Sequence, residues 1–278
     1  MVCCDCNFTN IFILGSIGYL IYRFFFKSPK ISAKPKVYRD NYEKDKVYLY
    51  QFKRLKNCPN LSPFCIKLET LCRTYNIPYE VCETANLRSR NGTLPFIELN
   101  GEHIADSDLI ELRLRKQFNI PSLSTEQEAQ SIALSRMTNY HLFYILLRYK
   151  SAVDDFYMSI IGIYGLPSYL SPILVPILKS VFGNKLYKRS VSAIGDFEPK
   201  EMDELLKRDL KVIQDSIKGK FIFGDKLTPI DGTVFGQLAS IYYPFRTHVC
   251  DVLEKDFPEL LEYCERVRKE VYPNDFTI

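Results

Sequence analysis

Histidine is scarce in this sequence, and neither sign of charge is in excess. The chain has three histidines, His103, His141 and His248, and none lies near a CxxC pair or an acidic cluster. Zinc sites are built from such groups, so no metal site is predicted among them. The 37 basic and 33 acidic residues are interspersed and leave a net charge of +4. This balance disfavours nucleic acid as a partner.

Paired cysteine spacing and a secretory signal are also missing. The nine cysteines are an odd number, which favours a reducing compartment over a disulfide framework. The hydrophobic run 8–26 has no basic segment before it and no small-residue cleavage site after it, which disfavours a cleaved signal peptide. Because about 20 apolar residues cross the hydrocarbon core of a bilayer, residues 1–28 are predicted to form a membrane-anchor helix.

The flanks of the run 8–26 predict its orientation. Only Asp5 precedes the run, whereas five basic residues follow it, namely Lys27, Lys30, Lys34, Lys36 and Arg39. The positive-inside rule then places the folded part of the chain in the cytosol. A helix that lies in the membrane interface is the alternative. Asn60 and Asn91 begin glycosylation sequons, and glycans on them would instead indicate a luminal domain.

Three cysteines, Cys3, Cys4 and Cys6, lie beside the predicted anchor. They have three interpretations: lipidation, a soft-metal site, or exposed thiols without a role. Lipidation needs cytosolic thiols, which conflicts with the predicted orientation. Three thiolates without a fourth ligand also make an incomplete metal site.

Residues 29–46 are predicted to be a basic linker, and residues 47–120 to be the first folded domain. The linker contains Pro29 and Pro35, which suits a segment without regular structure. The near-continuous apolar run 47–52 indicates a strand that is covered on both faces. Ser62 then precedes a helix that extends to about residue 75, and a second strand begins near residue 78.

A β-hairpin follows, with strands predicted over Phe96–Leu99 and residues 103–105. The Asn-Gly pair between them supplies the two positive-φ residues of a tight type I′ turn. Pro95 opens the first strand of the hairpin, and Asp106-Ser107 turns the chain into a further helix. Strand, helix, strand, hairpin and helix in this order predict an α/β thioredoxin-like domain.

Residues 121–278 are predicted to form an all-α domain. Ser124 and Gln127 make a capping box at the start of its first helix. The apolar face of this helix is predicted to contain Ala133, Met137, Tyr140, Tyr144 and Leu147. Thr228 and Asp231 make a second capping box, and their predicted role is structural, not catalytic.

The stretch 160–182 is very apolar but contains Pro167, Pro172 and Pro176. Three prolines disfavour a regular second membrane span. A hydrophobic lid, or a surface that touches the bilayer, is the preferred interpretation. A plain buried connection is the alternative.

Several motifs resemble one family. Residues 62–65, SPFC, are similar to the C-P-x-C corner of thioredoxin-fold proteins with serine in the first position. Residues 93–95 resemble the cis-proline step that faces this corner. SPFCIKLETL, IPYE, GDKLTPIDGTVFG and LLEYCERVRKEVYP closely resemble the failed axon connections family. This family is related to the metaxins and includes the cadmium-responsive proteins of nematodes. The likeness runs from about Val47 to Tyr272 and implies a glutathione S-transferase-like fold.

This fold implies a site for glutathione, with Ser62 as the candidate catalytic residue. Ser62 would stabilise the thiolate of glutathione at the positive end of a helix. Cys65 is the weaker candidate and would form a mixed disulfide. The alternatives are that Ser62 only caps the helix and that Cys65 only packs in the core.

Four further residues are implied to bind glutathione. Leu94, which precedes Pro95, would offer its backbone N–H and C=O to the cysteinyl part. Asp106 and Ser107 would hold the γ-glutamyl end at a helix N-terminus. Helix capping is again the alternative for both. Asp106 stands where many transferases carry Gln or Glu.

Two functions are therefore predicted. The first is a membrane-anchored protein of stress or heavy-metal (cadmium) response that binds or conjugates glutathione as its substrate. The second is a non-catalytic, metaxin-like module at a membrane, which binds a protein partner or forms a homodimer. The resemblance also suggests the lysosomal membrane as the location. Metal buffering by Cys3, Cys4 and Cys6 is a third, weaker hypothesis.

Overall fold

The computed structural model describes residues 36–277 and contains four strands and eleven α-helices in that part of the chain. The strands are β1 (Val47–Gln51), β2 (Tyr79–Glu83), β3 (Phe96–Leu99) and β4 (Glu102–Ala105). The helices are α1 (Pro63–Thr74), α2 (Ser107–Gln117), α3 (Thr125–Arg136), α4 (Phe143–Ala152), α5 (Asp154–Ile163), α6 (Ser171–Leu178), α7 (Asn184–Ile194), α8 (Pro199–Ser216), α9 (Pro229–Tyr242), α10 (His248–Asp256) and α11 (Pro258–Val271).

The sheet has the strand order β2-β1-β3-β4. β1 is parallel to β2 and antiparallel to β3, and β3 and β4 form a hairpin. All five residues of β1 are buried, because alternate side chains enter two different cores. Val47 and Leu49 pack with Leu68 of α1, whereas Tyr48 and Tyr50 pack on the opposite face. The predicted thioredoxin-like domain is confirmed.

The hairpin has the predicted turn. Asn100 and Gly101 have φ angles of 52° and 78°, as a type I′ turn requires. The peptide bond between Leu94 and Pro95 is cis. The cis bond precedes β3 directly, so its position in the fold is set by the central strands of the sheet.

Helix α9 is the centre of the all-helical part. Each of its residues from Pro229 to Ile241 is buried, because α9 packs against α1 on one side and against other helices around the rest. A Cβ atom at Gly236 would lie 2.4 Å from the Pro63 carbonyl oxygen. Only glycine permits this approach of two backbones, and the contact joins the sheet domain to the helical part.

The start of α9 has the predicted capping box. Asp231 is fully buried, and its Oδ2 accepts hydrogen bonds from the Thr228 N–H and hydroxyl, both at 2.8 Å. Its Oδ1 accepts from the Ile222 N–H at 2.9 Å and from the Tyr263 hydroxyl at 3.0 Å. The carboxylate therefore connects three separate segments of the helical part.

The capping box of α3 is also present, but the predicted apolar face is wrong for two residues. Ser124 and Gln127 exchange both hydrogen bonds. Ala133 and Tyr140 are exposed, whereas Leu134 and Leu142 are buried. The chain passes from α3 to α4 through a π-helical segment over Met137–Leu142. This wider turn shifts the phase of the buried face along the continuous helix.

The stretch 160–182 is neither a long helix nor a buried connection. It contains the end of α5, a 3₁₀ turn over Ser168–Leu170, and α6 with Pro176 inside it. Among residues 36–277, none of the helices combines the length with the hydropathy that a membrane span needs. The predicted anchor over 8–26 lies outside the described residues.

Candidate functional site

A cavity of about 510 Å³ lies between the sheet domain and the helical part. Five of the predicted site residues line it, namely Ser62, Leu94, Pro95, Asp106 and Ser107. The opposite wall is largely apolar and consists of side chains from α4, α5, α7 and a second π-helical segment over Lys179–Gly183, including Phe143, Leu147, Phe156, Ile160, Phe182 and Leu186. Cys65, Thr228 and Asp231 do not line the cavity.

Ser62 occupies the N-cap position of α1, but its hydroxyl does not cap the helix. Its backbone is held in place, because its N–H donates to Asn60 Oδ1 at 3.0 Å and its carbonyl accepts from the Cys65 and Ile66 N–H groups. The side chain is half-buried at the cavity. The hydroxyl therefore lies at the cavity beside the N-terminus of α1 and is not used by the helix as a cap.

Cys65 lies one turn further along α1 and is fully buried. Burial raises the pKa of its thiol to about 12, although hydrogen bonding to the Ser62 side chain and the Phe52 backbone opposes this shift. The thiolate is the nucleophilic form of cysteine. At neutral pH the protonated thiol prevails, so the environment of Cys65 fits packing better than it fits a mixed disulfide.

Leu94 presents its peptide groups at the cavity wall. In the described part of the chain, its N–H and C=O form no hydrogen bond with protein groups. Leu94 itself is 9% exposed, and buried backbone groups are almost always paired. A ligand that offers both a carbonyl and an N–H would satisfy them.

Asp106 and Ser107 form the N-terminus of α2. Asp106 Oδ1 accepts hydrogen bonds from the Asp108 and Leu109 N–H groups at 3.0 and 3.2 Å, so its carboxylate caps the helix. Ser107 is mostly buried, and its hydroxyl has no hydrogen-bond partner within residues 36–277. Of the two, Ser107 is the residue with a free polar group at the cavity.

Asp106 has a φ angle of 77°, a left-handed conformation that is costly for residues other than glycine. Asp106→Ala is expected to lower the free energy of unfolding by about 1–2 kcal/mol, because it removes the cap. Asp106→Gly is expected to cost less, because glycine adopts this φ without strain. Urea titrations of both variants measure the difference. An equal loss in both would contradict the role given to the backbone conformation.

Two arginines at the cavity have no counterpart in the sequence-based predictions. Arg88 lies over the Phe52 ring at 5.5 Å and donates to the Tyr164 hydroxyl at 3.2 Å, and Arg189 donates to the Tyr144 hydroxyl at 3.2 Å. Within the described residues these guanidinium groups donate to hydroxyl and carbonyl oxygens, and neither forms an ion pair with a carboxylate. They can bind an anionic group of a ligand. Arg88 lies in a loop and Arg189 on the polar face of α7, and neither position in the sequence indicates a role in binding an anion.

The two glycosylation sequons differ in accessibility. Asn60 is fully buried, and its Nδ2 donates to the Phe52 carbonyl at 2.8 Å, so this fold has no room for a glycan there. Asn91 is exposed.

No group of three or more His, Cys, Asp or Glu side chains in residues 36–277 is arranged to hold a metal ion. Cys3, Cys4 and Cys6 lie outside that range.

Known proteins with a similar sequence or fold agree with this architecture. The family model of the glutathione S-transferase N-terminal domain matches residues 63–156, and that of the C-terminal domain matches residues 206–267. A glutathione S-transferase of Ceriporiopsis subvermispora, solved in complex with glutathione, superimposes with a TM-score of 0.56 at 16% identity. The match covers 82% of this chain and 99% of that one, and it shows the fold alone.

Two curated relatives are similar in sequence. The isoprene-epoxide–glutathione S-transferase of Rhodococcus sp. (strain AD45) is 25% identical over 81% of this chain and 98% of its own length. Failed axon connections of Drosophila melanogaster is 33% identical over 87% of this chain. The match spans 62% of the length of that protein. The chain therefore has the two domains of the glutathione S-transferase fold and is similar in sequence to Failed axon connections.

Proposed function

We propose that this protein binds glutathione in the cavity and conjugates it to an apolar electrophile. The observation that carries the proposal is the combination of groups on one cavity wall. The unpaired peptide groups of Leu94, the Ser62 hydroxyl, which does not cap α1, and the N-terminus of α1 lie opposite a wall of aromatic and aliphatic side chains. Such a cavity accommodates a peptide thiol beside an apolar molecule.

The chemistry requires that the thiol of glutathione be ionised near neutral pH. An unperturbed cysteine thiol has a pKa of about 8.5. A hydrogen bond from the Ser62 hydroxyl and the positive end of α1 both favour the thiolate. The thiolate then attacks the electrophilic carbon, and the proton lost by the thiol goes to solvent or to the leaving oxygen.

The charged ends of glutathione have partners at the same cavity. The Ser107 hydroxyl and the N-terminus of α2 suit the γ-glutamyl carboxylate. Arg88 suits a second carboxylate, because its guanidinium group forms no ion pair with a protein carboxylate among residues 36–277. The bacterial relative that is named for isoprene epoxide supports an apolar electrophile.

Glutathione titration of the full-length protein by calorimetry, followed by a conjugation assay with an epoxide, tests this proposal. Ser62→Ala is expected to lower kcat/KM about 10- to 100-fold, because a hydrogen bond to a charged group contributes about 1.5–3 kcal/mol. Ser180→Ala, at an exposed serine outside the cavity, is the matched control. Absence of binding heat at millimolar glutathione, with Ser62→Ala equal to wild type, would end the proposal.

We further propose that residues 8–26 anchor the protein in a membrane, with the folded part in the cytosol. We also propose that the protein acts in the response to cadmium stress. The lysosomal membrane is the location that the family resemblance suggests. The flanking lysines and Asp5 support the orientation. Asn91 provides the test, because it is the exposed sequon. Glycosidase treatment of protein expressed in animal cells should leave its electrophoretic mobility unchanged. A mobility shift that Asn91→Gln removes would show that the folded part is luminal, the opposite of the proposed orientation.

A specific surface favours the second candidate function, a non-catalytic module at a membrane. Four large apolar side chains in the loop after α5 and in α6 are exposed, namely Leu166, Tyr169, Ile173 and Ile177. Exposed apolar surface is typical of interaction sites. If this function is correct, Tyr169→Glu with Ile173→Glu should abolish partner capture while Ser62→Ala does not. The opposite pattern would favour the enzyme.

A further inference from the structure

Lys150 of α4 is a buried lysine without a carboxylate partner in the described part of the chain. The residue is 5% exposed. Its Nζ donates a hydrogen bond to Ser240 Oγ at 2.8 Å, and the Ser240 hydroxyl donates a hydrogen bond to the Gln237 carbonyl at 3.1 Å. Buried lysines are rare unless they are paired with an acid. The environment of Lys150 therefore requires an explanation.

Lys67 provides an internal comparison. Its side chain is 2% exposed, but its Nζ lies 2.6 Å from Asp108 Oδ1 and 2.8 Å from Glu111 Oε2. Burial lowers the pKa of Lys67, but the two carboxylates outweigh this and raise it above its usual value. For Lys150 burial acts almost alone and lowers the pKa to about 7. One buried amine is thus held charged, and the other is substantially neutral at physiological pH.

Lys150 belongs to the wall of the candidate cavity. It lines this cavity on the helical side, together with Leu147, Phe156 and Ile160. As a neutral amine it donates one hydrogen bond to Ser240 Oγ and retains an unshared electron pair. Lysines desolvated in an apolar pocket are the nucleophiles that proteins use against carbonyl compounds.

We propose that Lys150 captures apolar aldehydes as reversible covalent adducts. The nitrogen electron pair attacks the carbonyl carbon and forms the C–N bond, while the carbonyl oxygen takes up a proton from water and the nitrogen releases one. The resulting carbinolamine loses water to give the imine, so one aldehyde and one amine yield one imine and one water. No oxidant or reductant is needed. This activity requires neither glutathione nor Ser62, so it stands or falls independently of the conjugation proposal.

The probe that tests this is hexanal, with sodium cyanoborohydride added to reduce any imine to a stable secondary amine. Full-length protein is treated at pH 7, and the alkylated lysines are located by peptide mass spectrometry. An ordinary lysine with a pKa of about 10.4 is less than about one part in a thousand neutral at this pH. Lys150 is therefore expected to be alkylated at least about tenfold faster than the exposed Lys53 and Lys200.

Two controls separate the cavity from general reactivity. Glycolaldehyde, which is polar, should show no preference for Lys150, and hexan-1-ol should slow the labelling of Lys150 by hexanal without affecting Lys53. Lys150→Arg should remove the fast site and leave the labelling of the exposed lysines unchanged. The wild-type measurements decide the matter even if this variant fails to fold. Labelling of Lys150 at or below the rate of Lys53 and Lys200, or equal slowing of all three by hexan-1-ol, would overturn the proposal.

Discussion

Replacement of Asp231 with alanine should lower the free energy of unfolding by about 3–5 kcal/mol, because several buried donors would lose their acceptor at once. The Ile222 and Thr228 N–H groups and the Tyr263 hydroxyl all donate to this carboxylate. Asp231 is 0% exposed, so water cannot replace it without disturbing the start of α9. Urea denaturation followed by circular dichroism measures the loss.

Asp215 supplies the matched control for Asp231. Its carboxylate pairs with Lys211 on the surface of α8 and is 59% exposed, and exposed pairs contribute about 0.2–1 kcal/mol. Asp215→Ala should therefore cost less than about 1 kcal/mol. Comparable losses in the two variants would show that the buried capping box does not hold the helical part together.

Gly236→Ala should destabilise the protein by about 1–3 kcal/mol, because a methyl group there overpacks the contact between α1 and α9. The added Cβ would meet the Pro63 carbonyl oxygen at 2.4 Å and the Lys67 nitrogen at 3.2 Å. Since these atoms belong to backbone, α1 must move as a unit. Ser62 begins α1, so glutathione binding should weaken in the same variant. Denaturation and calorimetry on one preparation measure both effects.

Gly162→Ala is the control for this substitution. Gly162 is also helical, but no atom lies within 4 Å of the position of an added Cβ. Alanine is favoured over glycine in a helix by up to about 1 kcal/mol, so this variant should be unchanged or slightly more stable. A stable Gly236→Ala protein with full glutathione binding would contradict the dependence of the cavity on this close contact.

Much of the candidate site could be predicted from short segments. The Ser-Pro start of α1, the Leu94-Pro95 step and the Asp106-Ser107 start of α2 are local patterns, and the thioredoxin-like topology brings all three to one wall. The roles of these residues with glutathione stay predictions. The roles of Arg88 and Lys150 at the cavity were not predicted, because they depend on which groups, distant in the sequence, surround each side chain. The absence of a nearby carboxylate leaves no pattern in the sequence.

Helix ends and the hairpin turn were determined by the sequence itself. Capping boxes at Ser124 and Thr228 and the Asn-Gly turn depend on hydrogen bonds and φ angles within a few residues, so neighbouring residues specify them. The buried face of the helix after Ser124 did not follow in the same way. The π-helical segment Met137–Leu142 changes the phase, and only packing against the other helices selects it.

The sequence by itself therefore determined the order of strands and helices in the thioredoxin-like domain, the tight turn, and the residues that begin α1, α2, α3 and α9. The tertiary structure decided which of those residues share a cavity and whether a buried amine faces an acid, as Lys67 does, or only a hydroxyl, as Lys150 does. The physical reason is the distance along the chain over which each interaction acts. Capping and turn formation act over three or four residues, whereas burial and ion pairing depend on groups far apart in the chain.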